Sequence, residues 1–306
     1  MSSILFEKKR VDVNSAKVRL AAILISVCTM MYFINMPLML GLAVKDLGLV
    51  QSQVWLLGGL FLGGAALAAI LSVFFIRIAH WQRLIFISGF MGIVAFLIPI
   101  FVTGFTTLLV CQALAGFFAG IGYAVAIACL GDAKNPTCNY ALALTAQTAM
   151  VALVSYQLPN IVIRGTTFNE VLMVVAGLSF ISILLGTMMP RNGKQLSLKS
   201  AMAEQNPIAV FVALFILLLV FVGGSSVRNS IEPIASRLDF TATEGGGVMI
   251  ILVLASGLGS LIAALMDTRS GFTKPMVIAL GVAATILVMG VFQLWPEQIS
   301  LLNFCL

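Results

Sequence analysis

Charged residues are scarce in this sequence, and that scarcity indicates the solvent in which the chain folds. Only 9% of its 306 residues are charged, 61% are hydrophobic, and the mean hydropathy is +1.12. A water-soluble domain carries charge at roughly a quarter of its positions, because it must cover its surface. The composition excludes an ordinary soluble fold and predicts that lipid surrounds most of the chain.

Residues that carry hydrolytic, redox or metal chemistry are also few. The sequence has one histidine, His80, and its five cysteines have neither metal-ligand spacing nor the pattern of a disulfide framework. It has no Gly-x-Ser-x-Gly nucleophile motif and no Walker phosphate-binding loop. Its basic residues form no cluster interleaved with aromatic residues. We therefore expect no enzyme activity, no cofactor, no metal site and no nucleic-acid partner.

Long apolar segments dominate what is present. A spanning helix needs about 20 mostly apolar residues, because its backbone groups must bond within the segment. A tenth such segment begins near Ile299 and is too short to cross by Leu306, so we expect a C-terminally truncated chain. The nine complete segments predict an all-α polytopic membrane protein, with spans at 20–43, 54–76, 84–102, 107–130, 139–159, 170–189, 207–227, 246–266 and 275–294.

The distribution of Lys and Arg predicts the orientation of the spans. Positive residues next to a span resist translocation, so the side richer in them is cytoplasmic. Thirteen of the 17 lie in the N-terminal segment and in the 2–3, 4–5, 6–7 and 8–9 loops, which share one side. The first 19 residues lack the apolar core of a cleavable signal peptide. We predict a multi-pass protein of the cytoplasmic (inner) membrane, with its N-terminus in the cytoplasm.

Polar residues inside the predicted spans are the candidates for contact with a solute. Each costs free energy in lipid unless it faces a cavity or a hydrogen-bonding partner. In span one, three of them recur at intervals of three residues and so share a helix face. The alternative is that these side chains only bond between helices. The candidate cavity residues are Thr29, Tyr32, Asn35, Gln112, Tyr123, Gln147, Arg228 and Asn229.

Glycine pairs four residues apart predict close helix packing. Gly59 and Gly63 lie in span two, and Gly116 and Gly120 lie in span four. Small residues at this spacing let another helix backbone approach, which is a main source of helix association in lipid. We therefore assign these four glycines to helix packing.

A weak internal repeat divides the chain. A shift of 191 residues lays the loop that begins at Asp46 on the loop that begins at Arg237, and lays Arg83 on Lys274. Transporters are often built from two duplicated bundles. The predicted domains are a cytoplasmic segment (1–19), a six-helix bundle (20–189), a cytoplasmic linker (190–206) and a partial second bundle (207–306).

Two loops and one span carry motifs that resemble those of the major facilitator superfamily. In that family the 2–3 loop has the pattern Gly-x-x-x-Asp-Arg-x-Gly-Arg-Arg, of which this sequence keeps Arg77 and Arg83 but no Asp. The fourth-span pattern Leu-x-x-x-Arg-x-x-Gln-Gly-x-Gly-Ala-Ala is matched in part at 108–120, with Gln112 in place of the arginine. The 8–9 loop keeps the acid, the glycine and both bases, at Asp267, Arg269, Gly271 and Lys274.

The resemblance implies both a fold and a function. The fold is two six-helix bundles with spans one, four, seven and ten lining a central cavity, the second bundle being incomplete here. The function is secondary active or facilitative transport of a small organic solute by alternating access, in a protein embedded in the lipid bilayer and monomeric when full length. The residues that would form its gate are Arg77, Arg83, Asp267, Arg269, Gly271 and Lys274, although a charge cluster that only sets topology has the same composition.

Coupling and function each have an alternative. None of the 11 acidic residues falls at mid-membrane, so the sequence offers no carboxylate proton carrier. The solute moves downhill, or a coupling ion is bound by neutral oxygens or by spans beyond Leu306. The alternative function is a non-transporting solute sensor or scaffold on a transporter fold. Flux of labelled solutes into vesicles distinguishes the two.

Overall fold

The structure is a computed structural model that describes residues 13–102, 104–163, 165–193, 215, 254–262 and 281. Within these residues the regular secondary structure is helical, with no strand. The six long helices belong to the first of two compact units, Met1–Ala264, and in the second, Leu265–Leu306, only Gly281 is described. The helices are α1 (Ala16–Leu47), α2 (Gln51–Phe75), α3 (Trp81–Phe101), α4 (Phe105–Gly131), α5 (Pro136–Ile163) and α6 (Phe168–Gly186).

Each of the six helices is long and apolar enough to cross a membrane. The shortest, α6, has 19 residues. At 1.5 Å per residue it extends about 28 Å, close to the roughly 30 Å of a bilayer's hydrocarbon core. The first six predicted spans coincide with these helices to within a few residues, which confirms the all-α, membrane-spanning architecture of this part of the chain.

The rest of the predicted architecture lies largely outside the described residues. Spans seven to nine are described only at Phe215, 254–262 and Gly281, all of which are helical. The N-terminal segment is described from residue 13 and the linker as far as Gly193. The number of spans in the second bundle and the domain boundaries therefore stay predictions.

Two helix ends are fixed by hydrogen bonds where α1 finishes and α6 starts. Gly48 caps the end of α1: its N–H donates to the Val44 carbonyl, and its φ of 64° lies in the left-handed region that glycine adopts without strain. Thr167 Oγ1 accepts from the Glu170 N–H, and the Glu170 carboxylate accepts from the Thr167 N–H. Asp46 Oδ2 accepts from the Phe168 N–H (2.7 Å), so the last turn of α1 caps the first turn of α6. We call this the Asp46 side, and the opposite side, where α2, α4 and α6 end, the Arg77 side.

Helices α2 and α4 pack backbone against backbone. A Cβ at Gly116 would overlap the carbonyl oxygen of Phe61, and one at Gly120 would lie 2.9 Å from the carbonyl oxygen of Ala65. On α2 the close approach is at Gly64, where a Cβ would overlap the backbone of α4. These contacts are the kind that small residues permit in lipid.

Gly59 and Gly63 are not the glycines through which α2 meets α4. Within the described residues, a Cβ at either position would meet nothing within 4 Å. One residue turns a helix by about 100°, so Gly64 faces α4 while its neighbour Gly63 points to the side. The close contact of α2 with α4 is thus at Gly64, and packing of Gly59 and Gly63 against other parts of the chain stays a prediction.

The interior of the bundle contains two apolar clusters, one toward each side. The cluster toward the Asp46 side includes Tyr32, Phe61 and Phe96. The cluster toward the Arg77 side includes Trp81 and Ile85. Each cluster combines residues from several helices, including ones far apart in sequence. Buried polar side chains lie between the apolar ones.

Candidate functional site

A buried hydrogen bond joins two of the predicted cavity residues. The Tyr32 hydroxyl on α1 donates to Gln112 Oε1 on α4. Both side chains are inside the bundle, 5% and 4% exposed. The Tyr32 ring packs against Phe61 and Phe96, with centroids 4.0 and 4.9 Å away. Gln112 thus satisfies the polar end of a phenol ring that otherwise has apolar surroundings.

A second buried polar cluster joins α1, α4 and α5. Gln147 Nε2 donates to Ser26 Oγ (3.1 Å), and both side chains are buried. The Tyr123 hydroxyl lies close to the same Gln147 side chain. Thr29 Oγ1 donates to the Ile25 carbonyl in its own helix (2.8 Å). Tyr32, Gln112 and Gln147 therefore bond between helices, as the alternative interpretation expects, whereas Thr29 bonds within α1.

A small cavity lies between α1, α3, α4 and α6, next to Tyr32. Its volume of about 20 Å³ has room for one water molecule. Ser88, Ser179 and Ser182 line it, and each donates its hydroxyl hydrogen to a carbonyl of its own helix. Their oxygens are left as acceptors toward the cavity. An organic solute does not fit into this cavity.

An ion pair joins α2 to α4 on the Arg77 side. Arg77 Nη1 donates to Asp132 Oδ1 at 2.6 Å. Asp132 follows the last residue of α4, and its side chain is 3% exposed, compared with 30% for Arg77. The 2–3 loop lacks the acid of the family motif, and Asp132 brings a carboxylate to Arg77 from another helix. The sequence contained a signal for this pair, because the predicted topology puts the end of span four, and so Asp132, on the same side of the membrane as Arg77.

Further hydrogen bonds on the Arg77 side connect the start of α3 to the chain that follows α6. Trp81 is fully buried; its Nε1–H donates to the carbonyl that ends α2 (2.8 Å), and its backbone N–H donates to the Arg191 carbonyl (2.8 Å). Gln82 Nε2 donates to the Met189 carbonyl (2.6 Å). A Cβ at Gly193 would overlap the Trp81 ring. The ends of α2, α3 and α6 are thus held together.

The later part of the chain contacts the bundle at α5. Thr145 Oγ1 and Ser260 Oγ lie 2.8 Å apart and share a hydrogen bond. A Cβ at Gly257 would lie 3.3 Å from Thr148 Cγ2. This contact, which we call the α5 seam, consists of hydroxyl and small side chains, and its described residues form no ion pair. Residues 254–262 fall within predicted span eight, which belongs to the predicted second bundle.

The remaining predicted residues are mostly beyond what the structure describes. Asn35 belongs to α1, but its side chain is not among the described ones. Of the predicted gate, Arg77 lies in the ion pair and Arg83 is exposed near the start of α3. The predicted residues outside the described ranges are Arg228, Asn229, Asp267, Arg269, Gly271 and Lys274.

Sequence reasoning missed several polar residues that the structure brings into the interior. Ser26, the partner of Gln147, and the three serines of the cavity are single hydroxyls in apolar runs, which give little signal. Asn139, near the start of α5, is 1% exposed, and neither polar atom of its amide has a hydrogen-bonding partner within the described residues. Such a buried amide calls for an explanation, because an unpaired polar group inside a protein is costly.

In comparisons with known proteins, no family model matches this chain and no curated protein matches it either. Two structural features then guide the functional interpretation. One is a membrane-embedded bundle whose cavity next to Tyr32 holds no more than a water molecule. The other is the α5 seam, at which a later part of the chain meets that bundle through neutral polar groups.

Proposed function

We propose that this protein is a secondary active or facilitative transporter of a small organic solute, of the major facilitator type, that works by alternating access between two bundles. The observation that carries the proposal is the α5 seam, where Thr145 and Ser260 bond between separate parts of a chain that spans the membrane. The cavity next to Tyr32 is too small for a solute. In this proposal the solute moves along the boundary between bundles.

The relative strength of the contacts supports movement at the seam. A hydrogen bond between helices in a membrane contributes only about 0.6 kcal/mol on average. A charge-assisted bond such as Arg77 to Asp132 contributes more, about 1.5–3 kcal/mol. The hydrogen bond described at the α5 seam is therefore weaker than the ion pair on the Arg77 side. This order of strengths favours movement of the first six helices as one body.

The acidic residues bear on how transport would be coupled. The described acids are Asp46, Asp132 and Glu170, and all three lie at helix ends. A proton carrier needs a titratable group within the membrane. The six described helices supply no such carboxylate, so in this proposal transport is downhill or coupled to an ion bound elsewhere. Flux measured with and without a protonophore, and with and without a sodium gradient, separates these cases.

Vesicles containing the protein test the proposed function. The assay follows uptake and efflux of labelled sugars, amino acids, organic acids and organic cations, with protein-free vesicles as the control. We expect saturable flux of at least one class. Saturable binding without flux would contradict the proposal and favour the sensor alternative.

A disulfide across the α5 seam tests the mechanism. Thr145→Cys and Ser260→Cys are combined in a background without the native cysteines, because the two oxygens lie 2.8 Å apart and sulfur atoms there can reach bonding distance. We expect oxidation to stop flux and a reducing agent to restore it. The matched controls are the two single-cysteine variants, which should respond to neither treatment. Undiminished flux in fully cross-linked protein would refute movement at the seam.

A further inference from the structure

A groove runs along the outer surface of the bundle between α3 and α6, beginning on the Arg77 side. Its volume is about 500 Å³, within the range of sites that hold small molecules. Polar residues line one end, namely Gln82, Arg83 and Thr187. Apolar residues line the rest, namely Phe86, Ile87, Ile183 and Gly186. We call this the α3–α6 groove.

Arg83 gives the polar end a positive charge. It is exposed, and among the described residues no acidic side chain lies within ion-pair distance of it, unlike Arg77 with Asp132. Gln82 Nε2 is engaged by the Met189 carbonyl (2.6 Å), which holds the polar end of the groove together. An anion can therefore reach the guanidinium without displacing a protein carboxylate.

The apolar part of the groove lies on the exposed surface of a helix that is long and apolar enough to span the membrane. Phe86 is 55% exposed and Ile87 is 50% exposed, although both lie in a membrane-spanning helix. The Phe86 ring stacks parallel to that of Phe90, at 6.4 Å between centroids, and so continues the apolar surface along α3. A molecule that fits this groove is anionic where it meets Arg83 and hydrocarbon along Phe86 and Ile87. A phospholipid has that construction, with the two parts in the required order.

We propose that the α3–α6 groove is a binding site for one phospholipid with a net negative headgroup, its phosphate against Arg83 and an acyl chain along Phe86, Ile87 and Ile183. A zwitterionic lipid also has a phosphate, but its ammonium group finds no carboxylate here among the described residues. One arginine near a membrane surface favours an anionic lipid by about 1 kcal/mol, which corresponds to roughly five-fold tighter binding. The inference depends on the membrane-embedded bundle and not on transport.

Native mass spectrometry of the purified, delipidated full chain measures this preference. The protein is titrated with phosphatidylglycerol and with phosphatidylcholine of the same acyl chains, and separately with inorganic phosphate. We expect phosphatidylglycerol to bind about five-fold more tightly than phosphatidylcholine at one site. Inorganic phosphate should not compete at matched ionic strength, because it lacks the hydrocarbon part. Equal binding of the two lipids, or competition by phosphate alone, would overturn the proposal.

Three variants locate the site. Arg83→Gln should abolish the five-fold preference while leaving the thermal unfolding temperature unchanged, because this side chain is exposed. Thr187→Trp should weaken the binding of both lipids by obstructing the polar end of the groove. The matched control is Arg191→Gln, an exposed arginine on the Arg77 side that does not line the groove, and it should keep the preference. A retained preference in Arg83→Gln, or unaltered lipid binding in Thr187→Trp, would show that the lipid binds elsewhere and would refute the assignment.

Discussion

Removal of the Arg77–Asp132 ion pair should destabilise the bundle by an amount that depends on which partner is removed. Asp132 is 3% exposed, whereas 30% of the Arg77 side chain reaches solvent. Arg77→Gln removes the cation that is paired with a buried carboxylate, and breaking a buried pair in this way costs about 3–5 kcal/mol. Because solvent reaches one side of this pair, we expect a loss of about 2–4 kcal/mol in the free energy of unfolding.

Asp132→Asn should cost less. The charge that remains is on Arg77, which can turn toward water, and the asparagine still offers a carbonyl oxygen to the guanidinium. The free energy of unfolding should fall by about 1–2 kcal/mol, because one hydrogen bond is no longer strengthened by opposite charges. In the double variant neither residue carries a charge, so its cost should fall below the sum of the single costs by about 1–3 kcal/mol.

The assay is unfolding of the full chain in detergent, followed by circular dichroism during heating or titration with dodecyl sulfate. Salt should have little effect on the difference, because a partly buried pair is screened weakly. Arg191→Gln serves as the control, since that side chain is exposed and forms no described ion pair. A cost for Asp132→Asn that equals or exceeds that for Arg77→Gln, or strictly additive costs in the double variant, would refute the argument from burial.

Three other substitutions examine packing, buried hydrogen bonding and capping. Gly116→Ala should cost about 1–3 kcal/mol through overlap with the backbone of α2, whereas Gly59→Ala should be neutral; thermal unfolding of the two variants compares them. Gln112→Leu should cost about 1–3 kcal/mol by leaving the Tyr32 hydroxyl unpaired, and a double-mutant cycle with Tyr32→Phe should recover most of that loss. Thr167→Ala should cost about 1 kcal/mol and accelerate amide hydrogen exchange in the first turn of α6.

Much of the fold was predictable because a single physical requirement fixes it. Backbone groups in lipid must bond within their own segment, so apolar runs of sufficient length become helices and polar residues end them. The six helices accordingly coincide with predicted spans. Even the fine detail at Gly48 follows a local rule, since glycine readily ends a helix in the left-handed conformation.

The contacts within the site were less predictable. Tyr32 and Gln112 are 80 residues apart, and Arg77 and Asp132 are 55 apart, so no local pattern pairs them. Nor does a stripe of apolar residues indicate which face of each helix points inward, because in lipid the outer face is as apolar as the interior. The choice between Gly63 and Gly64 as the contact on α2 illustrates this, since one residue turns the helix by about 100°.

The amino-acid sequence by itself determined that this chain belongs in a bilayer and where its first six helices begin and end, because hydrocarbon leaves the backbone few alternatives. Only the tertiary structure decided that Asp132 meets Arg77, that Tyr32 meets Gln112, and that Thr145 bonds with Ser260. Those pairings depend on how helices of uniform apolar character rotate and pack against one another. That rotation is settled by close contact between side chains and backbones, a property of the assembled bundle and not of any one segment.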